Sequence, residues 1–199
     1  MSRPLDLLIS ALALLLTVPL NALIALAIRL EGGGPVIYRQ RRVGRDGREF
    51  DLLKFRTMVA GSDPVGIGTA IESEDPRVTR VGRFLRRLSL DELPNLVNVL
   101  RGEMALVGPR PTIPAQVELY TPEQRRRLEV KPGLTGWAQV SGRVAIGWSE
   151  RIELDVWYVD NRSAALDLRI LARTVRLLAT GKGLGGETPS SRVPPEWRR

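Results

Sequence analysis

The chain opens on an almost unbroken apolar run and then changes period several times. Residues 7–28, LLISALALLLTVPLNALIALAI, carry no charge, and a run of that length exceeds the ~20 residues that cross a bilayer as a helix. Three topologies suit it. A secretory signal has a basic start, here Arg3, and a small-residue cleavage site, which Ala25-Leu26-Ala27 imitates, but its apolar region is usually about 7–15 residues. A straight span would carry Arg3 and the amino terminus across the membrane while Arg29, Arg39, Arg41, Arg42 and Arg45 stay behind, against the tendency of positive charge to remain cytoplasmic. A re-entrant helix keeps both ends on one side. Pro19 removes a backbone donor inside the run, and Thr17 and Asn21 lie close to it, so the helix is expected to break at Pro19, over about residues 4–30. The straight span is the alternative.

Beyond the apolar run the period shortens to two. Residues 38–43 and 48–55 alternate like strands, and Asp46-Gly47 between them is a strong two-residue hairpin signal. Residues 60–76 are rich in Gly, Asp and Pro, without a period, and are expected to form a mobile loop. Helical spacing then returns at 80–87, 90–100, 114–120, 123–129 and 150–157. Over 163–180, Arg169, Arg173 and Arg176 share one side against Leu166, Ile170, Leu171, Thr174, Leu177 and Leu178. That pattern suits either an amphipathic helix on a soluble core or one lying in a membrane interface with its arginines toward anionic headgroups. Residues 182–199 are poor in hydrophobics and read as a flexible tail. The fold class is mainly α with a small β-hairpin (α+β). It is a single domain over 1–181 with its catalytic body at about 35–181, served by the re-entrant helix and by interfacial amphipathic helices.

Composition narrows the chemistry. The net charge of +8 over 199 residues calls for an anionic partner. With no cysteine and no histidine, thiolate nucleophiles, zinc clusters and the commonest general base are excluded. Proton transfer falls to carboxylates, lysine, tyrosine or water, and a metal site would be oxygen-rich and favour magnesium.

Residues 89–111, SLDELPNLVNVLRGEMALVGPRP, concentrate that chemistry. Asp91 and Glu92 are adjacent acids, with Arg80, Arg83, Arg86 and Arg87 upstream and the turn Gly108-Pro109-Arg110-Pro111 downstream. Ser89 and Glu92 have the spacing of a capping box, the ordinary explanation for such a pair. A helix starting there would also set both carboxylates at its positive end, where phosphate binds as well. Carboxylates ringed by guanidinium groups suit work on a phosphate ester.

This run resembles the signature of the bacterial sugar transferases, the monotopic phosphoglycosyl transferases. Other motifs match in order: the N-terminal apolar helix, Lys54-Phe55-Arg56-Thr57-Met58, the segment Lys131-Pro132-Gly133-Leu134-Thr135-Gly136-Trp137-Ala138-Gln139-Val140 through Gly142-Arg143, and Glu153-Leu154-Asp155-Val156-Trp157-Tyr158-Val159. The resemblance covers about residues 3–180. The family's membrane helix is broken at a proline commonly preceded by serine; here Thr17-Val18 precede Pro19.

The resemblance implies a transfer of phosphosugar from a UDP-sugar to a polyprenol phosphate such as undecaprenyl phosphate. The products would be UMP and a polyprenol-diphosphate-sugar, the first membrane intermediate of a surface glycan. By the family's two-step mechanism Asp91 would be the nucleophile and a ligand of Mg²⁺, with Glu92 as the partner acid. Arg86 and Arg143 match phosphate-binding arginines, and Lys54 a lysine near the active site. Arg110 would contact substrate or pin the fold beneath the site. Gln139 lies in a matched motif. Asp167 would face the metal region or simply begin a helix, and Trp137, Trp148 and Trp157 read as core or interface aromatics. The implied location is the cytoplasmic face of the bacterial inner membrane, among anionic headgroups; a homo-oligomer is left open. Two other classes compete: a membrane-tethered basic protein binding nucleic acid or anionic lipid, and a magnesium-dependent phosphoester hydrolase. An acid pair beside the arginines argues against nucleic acid, and the ordered motifs favour the transferase.

Overall fold

The computed structural model describes residues 2–32, 34–62, 75–141 and 147–180. Helix α1 (Arg3–Gly32) leads into an antiparallel hairpin of β1 (Ile37–Val43) and β2 (Glu49–Phe55). Then come α2 (Arg80–Arg87), a 3-10 turn at Leu90–Glu92, α3 (Asn95–Arg101), β3 (Ala105–Val107), α4 (Pro114–Glu118) and α5 (Pro122–Arg125). A 3-10 turn at Arg126–Glu129 leads to β4 (Gly133–Thr135), α6 (Trp137–Ser141), α7 (Trp148–Asn161) and α8 (Ala164–Thr180). The α+β class expected from the pattern is what forms, and the expected helix at 80–87 is α2.

The hairpin turn is one residue longer than the Asp-Gly signal suggests. Asp46 and Gly47 both take the left-handed conformation, at φ 58° and 77°, but Arg45 joins them in the 3-10 turn and the Gly44 N–H closes the loop on the Arg48 carbonyl at 2.7 Å. A second sheet, the parallel pair β3–β4, has no counterpart in the sequence reading. Three-residue strands carry too few positions to show a period. Here the glycines explain the motif: a Cβ on Gly133 would lie 2.1 Å from the Gly108 nitrogen, so the two backbones meet only where neither has a side chain.

The main core joins both sheets to the helices, with Phe50, Leu52, Val99, Met104, Tyr158 and Ile170 buried together and Ala13 and Leu14 of α1 packed against them. A second cluster sets Ile24 and Ile28 of α1 on Phe55 and Leu85. Helix α8 turns Leu166 and Ile170 into the body and lays Arg173 over Trp137 at 5.0 Å. The inner part of its apolar stripe is therefore occupied by the core, while Arg169, Arg173 and Arg176, with Leu168, Val175 and Leu178, stay exposed on the outside. Trp137 and Trp157 stack at 5.2 Å, in keeping with a packing role. The tail at 182–199 and most of the 60–76 loop lie outside the described residues.

Helix α1 is long and apolar enough to cross a membrane by length and composition. It does not break at Pro19: the helix is continuous from Arg3 to Gly32 with Pro19 inside it. Proline deletes only its own N–H from the ladder, and nearby the Thr17 hydroxyl donates to the Ala13 carbonyl at 2.7 Å while Asn21 Nδ2 donates to Thr17 Oγ1 at 3.3 Å. Both ends are tied to the same body. Arg3 donates to the carbonyls of Val99 and Leu100 at 2.6 and 2.9 Å, at the negative end of α3. Glu31 accepts from the N–H groups of Arg80 and Val81 at 2.7 and 2.9 Å, at the positive end of α2. The outer row of Leu8, Leu12, Leu15, Leu16, Leu23, Leu26 and Leu30 is exposed. At ~1.5–3 kcal/mol for each leucine moved out of water, that row suits the helix to a lipid surface.

A helix with both ends fixed to one body cannot place them on opposite faces of a bilayer. Single cysteines at Ser2 and Arg45, in a chain with none of its own, should both react with an impermeant maleimide from the same side of sealed vesicles. Labelling from opposite sides would establish a span.

Candidate functional site

The acid pair sits in the 3-10 turn between α2 and α3, and the local geometry departs from a capping box. Ser89 is left-handed at φ 57° and its side chain caps nothing. The Glu92 carboxylate turns instead to two cations, accepting from Lys54 Nζ at 2.8 Å and Arg110 Nη2 at 2.9 Å. Asp91 stands apart, its Oδ2 3.7 Å from Lys54 Nζ. The α-helix proper starts only at Asn95, with Pro94 before it, so the acids precede α3 and lie outside its first turn.

Each partner is positioned from a different direction. Lys54 shares a face of the hairpin with Tyr38, its cross-strand partner. Its register is held by Asn98, fully buried, which accepts from the Leu53 N–H at 3.1 Å and donates to the Asp51 carbonyl at 2.8 Å and to Glu103 at 2.7 Å. Arg86 rides on α2, whose Gly82 lets the helix touch β2's end: a Cβ there would be 2.1 Å from the Thr57 carbonyl oxygen. Arg86 Nε then reaches Thr57 Oγ1 at 2.9 Å, and its charge acts on Asp91. The backbone carbonyl of Arg110 is gripped by Arg127 at 2.9 Å, while Arg127 itself is buried against Asp155 and the Tyr120 hydroxyl. Arg42 donates to the neighbouring Pro111 carbonyl at 3.1 Å.

The electrostatics divide the two acids. Burial alone would raise Glu92, but Arg110 and Lys54 outweigh it and hold its carboxyl far below the usual range. Asp91 goes the other way: burial raises it, Lys54 offsets only part of that, and the charge on Glu92 pushes it up further. Arg42 is lowered to about 10, chiefly by burial and then by the neighbouring Arg110; with Lys54, Arg86 and Arg110 it sets four cations against the two acids, a surplus of positive charge. That surplus suits a phosphorylated ligand.

Asp91, Glu92, Lys54, Arg86 and Arg110 thus come together as the sequence suggested. Arg143 lies outside the described residues. Gln139 lies beside Gly136 and Gly108, with both amide atoms buried and, among the described residues, without a hydrogen-bond partner. Asp167 does not join the acid pair in any described contact; it is buried and accepts from the Tyr158 hydroxyl at 2.7 Å. Arg42, Asn98 and Arg127 were missed. For Arg42 a signal existed, because Tyr38, Gln40 and Arg42 alternate on the hairpin face that carries Lys54. For Asn98 it was a polar residue in an apolar helical run. Nothing local marked Arg127 among so many arginines.

Among the described residues no group of three acids or other ligating side chains gathers. Magnesium is compatible with that, since it keeps several waters and is typically held by one or two carboxylates plus substrate phosphates. Asp91 fits as such a carboxylate; Glu92, already held by two cations, does not.

Known proteins place this site in a family. The bacterial sugar transferase family model matches residues 1–181, and the chain belongs to that family. A sugar transferase of Bacillus subtilis, EpsL, is 51% identical over 157 residues, 79% of this chain and 76% of its own length. The exopolysaccharide production protein ExoY of Sinorhizobium fredii is 40% identical, over 91% of this chain and 86% of its own. A UDP-glucose:undecaprenyl-phosphate glucose-1-phosphate transferase of Caulobacter vibrioides is 46% identical, over 89% of this chain and 69% of its own.

Replacing Asn98 with alanine strands the Leu53 N–H and the Asp51 carbonyl, at roughly 1–3 kcal/mol for each buried group left unpaired. Denaturant unfolding of Asn98→Ala should show a loss of at least that size.

Proposed function

We propose that this protein is a phosphoglycosyl transferase that moves a phosphosugar from a UDP-sugar to a polyprenol phosphate such as undecaprenyl phosphate, releasing UMP. The names of its relatives, among them a UDP-glucose:undecaprenyl-phosphate glucose-1-phosphate transferase and an exopolysaccharide production protein, support this substrate pair and a place at the first membrane step of a surface glycan. The apolar α1, tied at both ends to the body, supports a monotopic enzyme on the cytoplasmic face of the inner membrane.

One observation carries the assignment of roles: of two adjacent carboxylates, Glu92 is neutralised by close contacts to Lys54 and Arg110, while Asp91 is 3.7 Å from its nearest cation. Asp91 is therefore the nucleophile. Its carboxylate oxygen attacks the sugar-bearing phosphorus, the bridging P–O bond breaks, and UMP leaves with that oxygen. An oxygen of the polyprenol phosphate then attacks the same phosphorus, the bond to Asp91 breaks, and the carboxylate is restored. Two bulky anions never occupy the site together. Lys54, Arg86 and Arg110 offset charge around the phosphate, and Glu92 positions Lys54 and Arg110. Arg143 belongs with these phosphate-binding groups by family motif. Magnesium, when bound at Asp91, would supply charge neutralisation of the diphosphate.

The purified enzyme should release UMP from a UDP-sugar only with Mg²⁺ present, and Asp91→Asn should abolish release. Because burial makes the ionised Asp91 unfavourable to the fold, the same variant should melt no lower than wild type in magnesium-free neutral buffer. A phosphosugar adduct mapped by peptide mass spectrometry to any residue other than Asp91 would overturn this mechanism.

A further inference from the structure

A recess lies at the opposite end of α2 from the acid pair. A cavity of about 360 Å³ opens between the C-terminal end of α1 and the N-terminal end of α2. One part of its wall is apolar, with Ile28, Met58 and Val59; another is cationic, with Arg56, Arg80 and Arg83. Glu31 also lines it, but both its carboxylate oxygens are taken up by the N–H groups of Arg80 and Val81. The same end of α1 exposes Leu26 and Leu30 on the face turned away from Ile28, so the helix that walls the cavity also carries an outward apolar face. Toward the other side, Arg80, Arg83 and Arg86 follow one another at intervals of three residues, a shallow spiral of guanidinium groups rising about 4.5 Å per step. The last of them bonds to Thr57, the neighbour of Arg56 and Met58, and acts on Asp91.

An apolar wall on a membrane-type helix suits a hydrocarbon tail. A phosphate on a hydrocarbon tail needs both halves. We propose that this cavity is the acceptor site: Arg80 and Arg83 hold the phosphate of the polyprenol phosphate, and Ile28, Met58 and Val59 take its first isoprene units. The proposal rests on the transferase reading above and adds to it where the lipid enters. From Arg83 the phosphate reaches Arg86, and with it the phosphorus carried by Asp91, along α2 without leaving positive charge.

The two-step reaction allows the site to be tested apart from the donor chemistry. Arg80 and Arg83 are exposed, so Arg80→Gln/Arg83→Gln should fold. In nanodiscs of neutral lipid, the double variant should release UMP from UDP-sugar in a wild-type burst without acceptor, while its KM for undecaprenyl phosphate rises at least tenfold. Val59→Asn should weaken a long-chain polyprenol phosphate more than a short, water-soluble alkyl phosphate. Equal loss of burst and acceptor transfer would assign the arginines to the donor, and an unchanged acceptor KM would leave the cavity without this role; either result overturns the proposal. So does an effect that appears only when anionic phospholipid is added, since the cavity then binds bilayer lipid instead. Absence of a burst from the wild type counts against the two-step reading alone. In that case a steady-state KM raised for the acceptor but not for UDP-sugar still upholds the acceptor site, and one raised for both rejects it.

Discussion

Glu92 is the joint on which the site depends. Its carboxylate meets Lys54 from the hairpin and Arg110 from the segment after β3, so two parts of the chain far apart in sequence converge on one turn. Half-buried ion pairs of this kind stabilise only when the partners are held in place, and here both are. Asn98 sets the register of the strand that carries Lys54, and the buried Arg127–Asp155 pair holds the backbone of Arg110. Neutralising one acid in this way leaves its neighbour with only part of its charge offset in a buried position. Asp91 is poised for chemistry because Glu92 is occupied.

The membrane helix belongs to the same construction. Arg3 caps the C-terminal end of α3 and Glu31 the N-terminal end of α2, the two helices that flank the acid turn. Each contact sets a side-chain charge against a helix end of opposite sign. The anchor is thus a brace across the catalytic turn, and its exposed leucines connect that brace to lipid. An enzyme with one water-soluble and one lipid-borne substrate gains from such a link, because the position of the anchor bears on the geometry of the site.

Long or strongly patterned segments were legible from the residues alone. The hairpin, α2 and α8 followed from period and turn chemistry, and the acid pair with Lys54, Arg86 and Arg110 from ordered motifs. Short elements were not: β3 and β4 are made by two glycines that let backbones touch, and such a contact leaves no local pattern. Ser89 and Glu92 have the spacing of a capping box, yet Glu92 finds stronger partners in two cations than in a backbone N–H, a tertiary choice over a local one. Pro19 read as a break, but a single missing donor does not stop a helix whose neighbouring turns remain bonded. Asp167 was a candidate for the metal region, and the structure buries it with the hydroxyl of Tyr158 among its partners.

By itself the sequence determined which residue types were present to do chemistry. The lack of histidine and cysteine excluded most other nucleophiles and bases, the net charge called for an anionic partner, and the apolar start suited contact with lipid. These are properties of composition and local order, and they survive any folding of the chain. Only the tertiary structure decided between the two carboxylates. Asp91 and Glu92 are equivalent to any local reading, and their difference comes from where Lys54 and Arg110 arrive, since charge interactions depend on distance in space and not on separation along the chain.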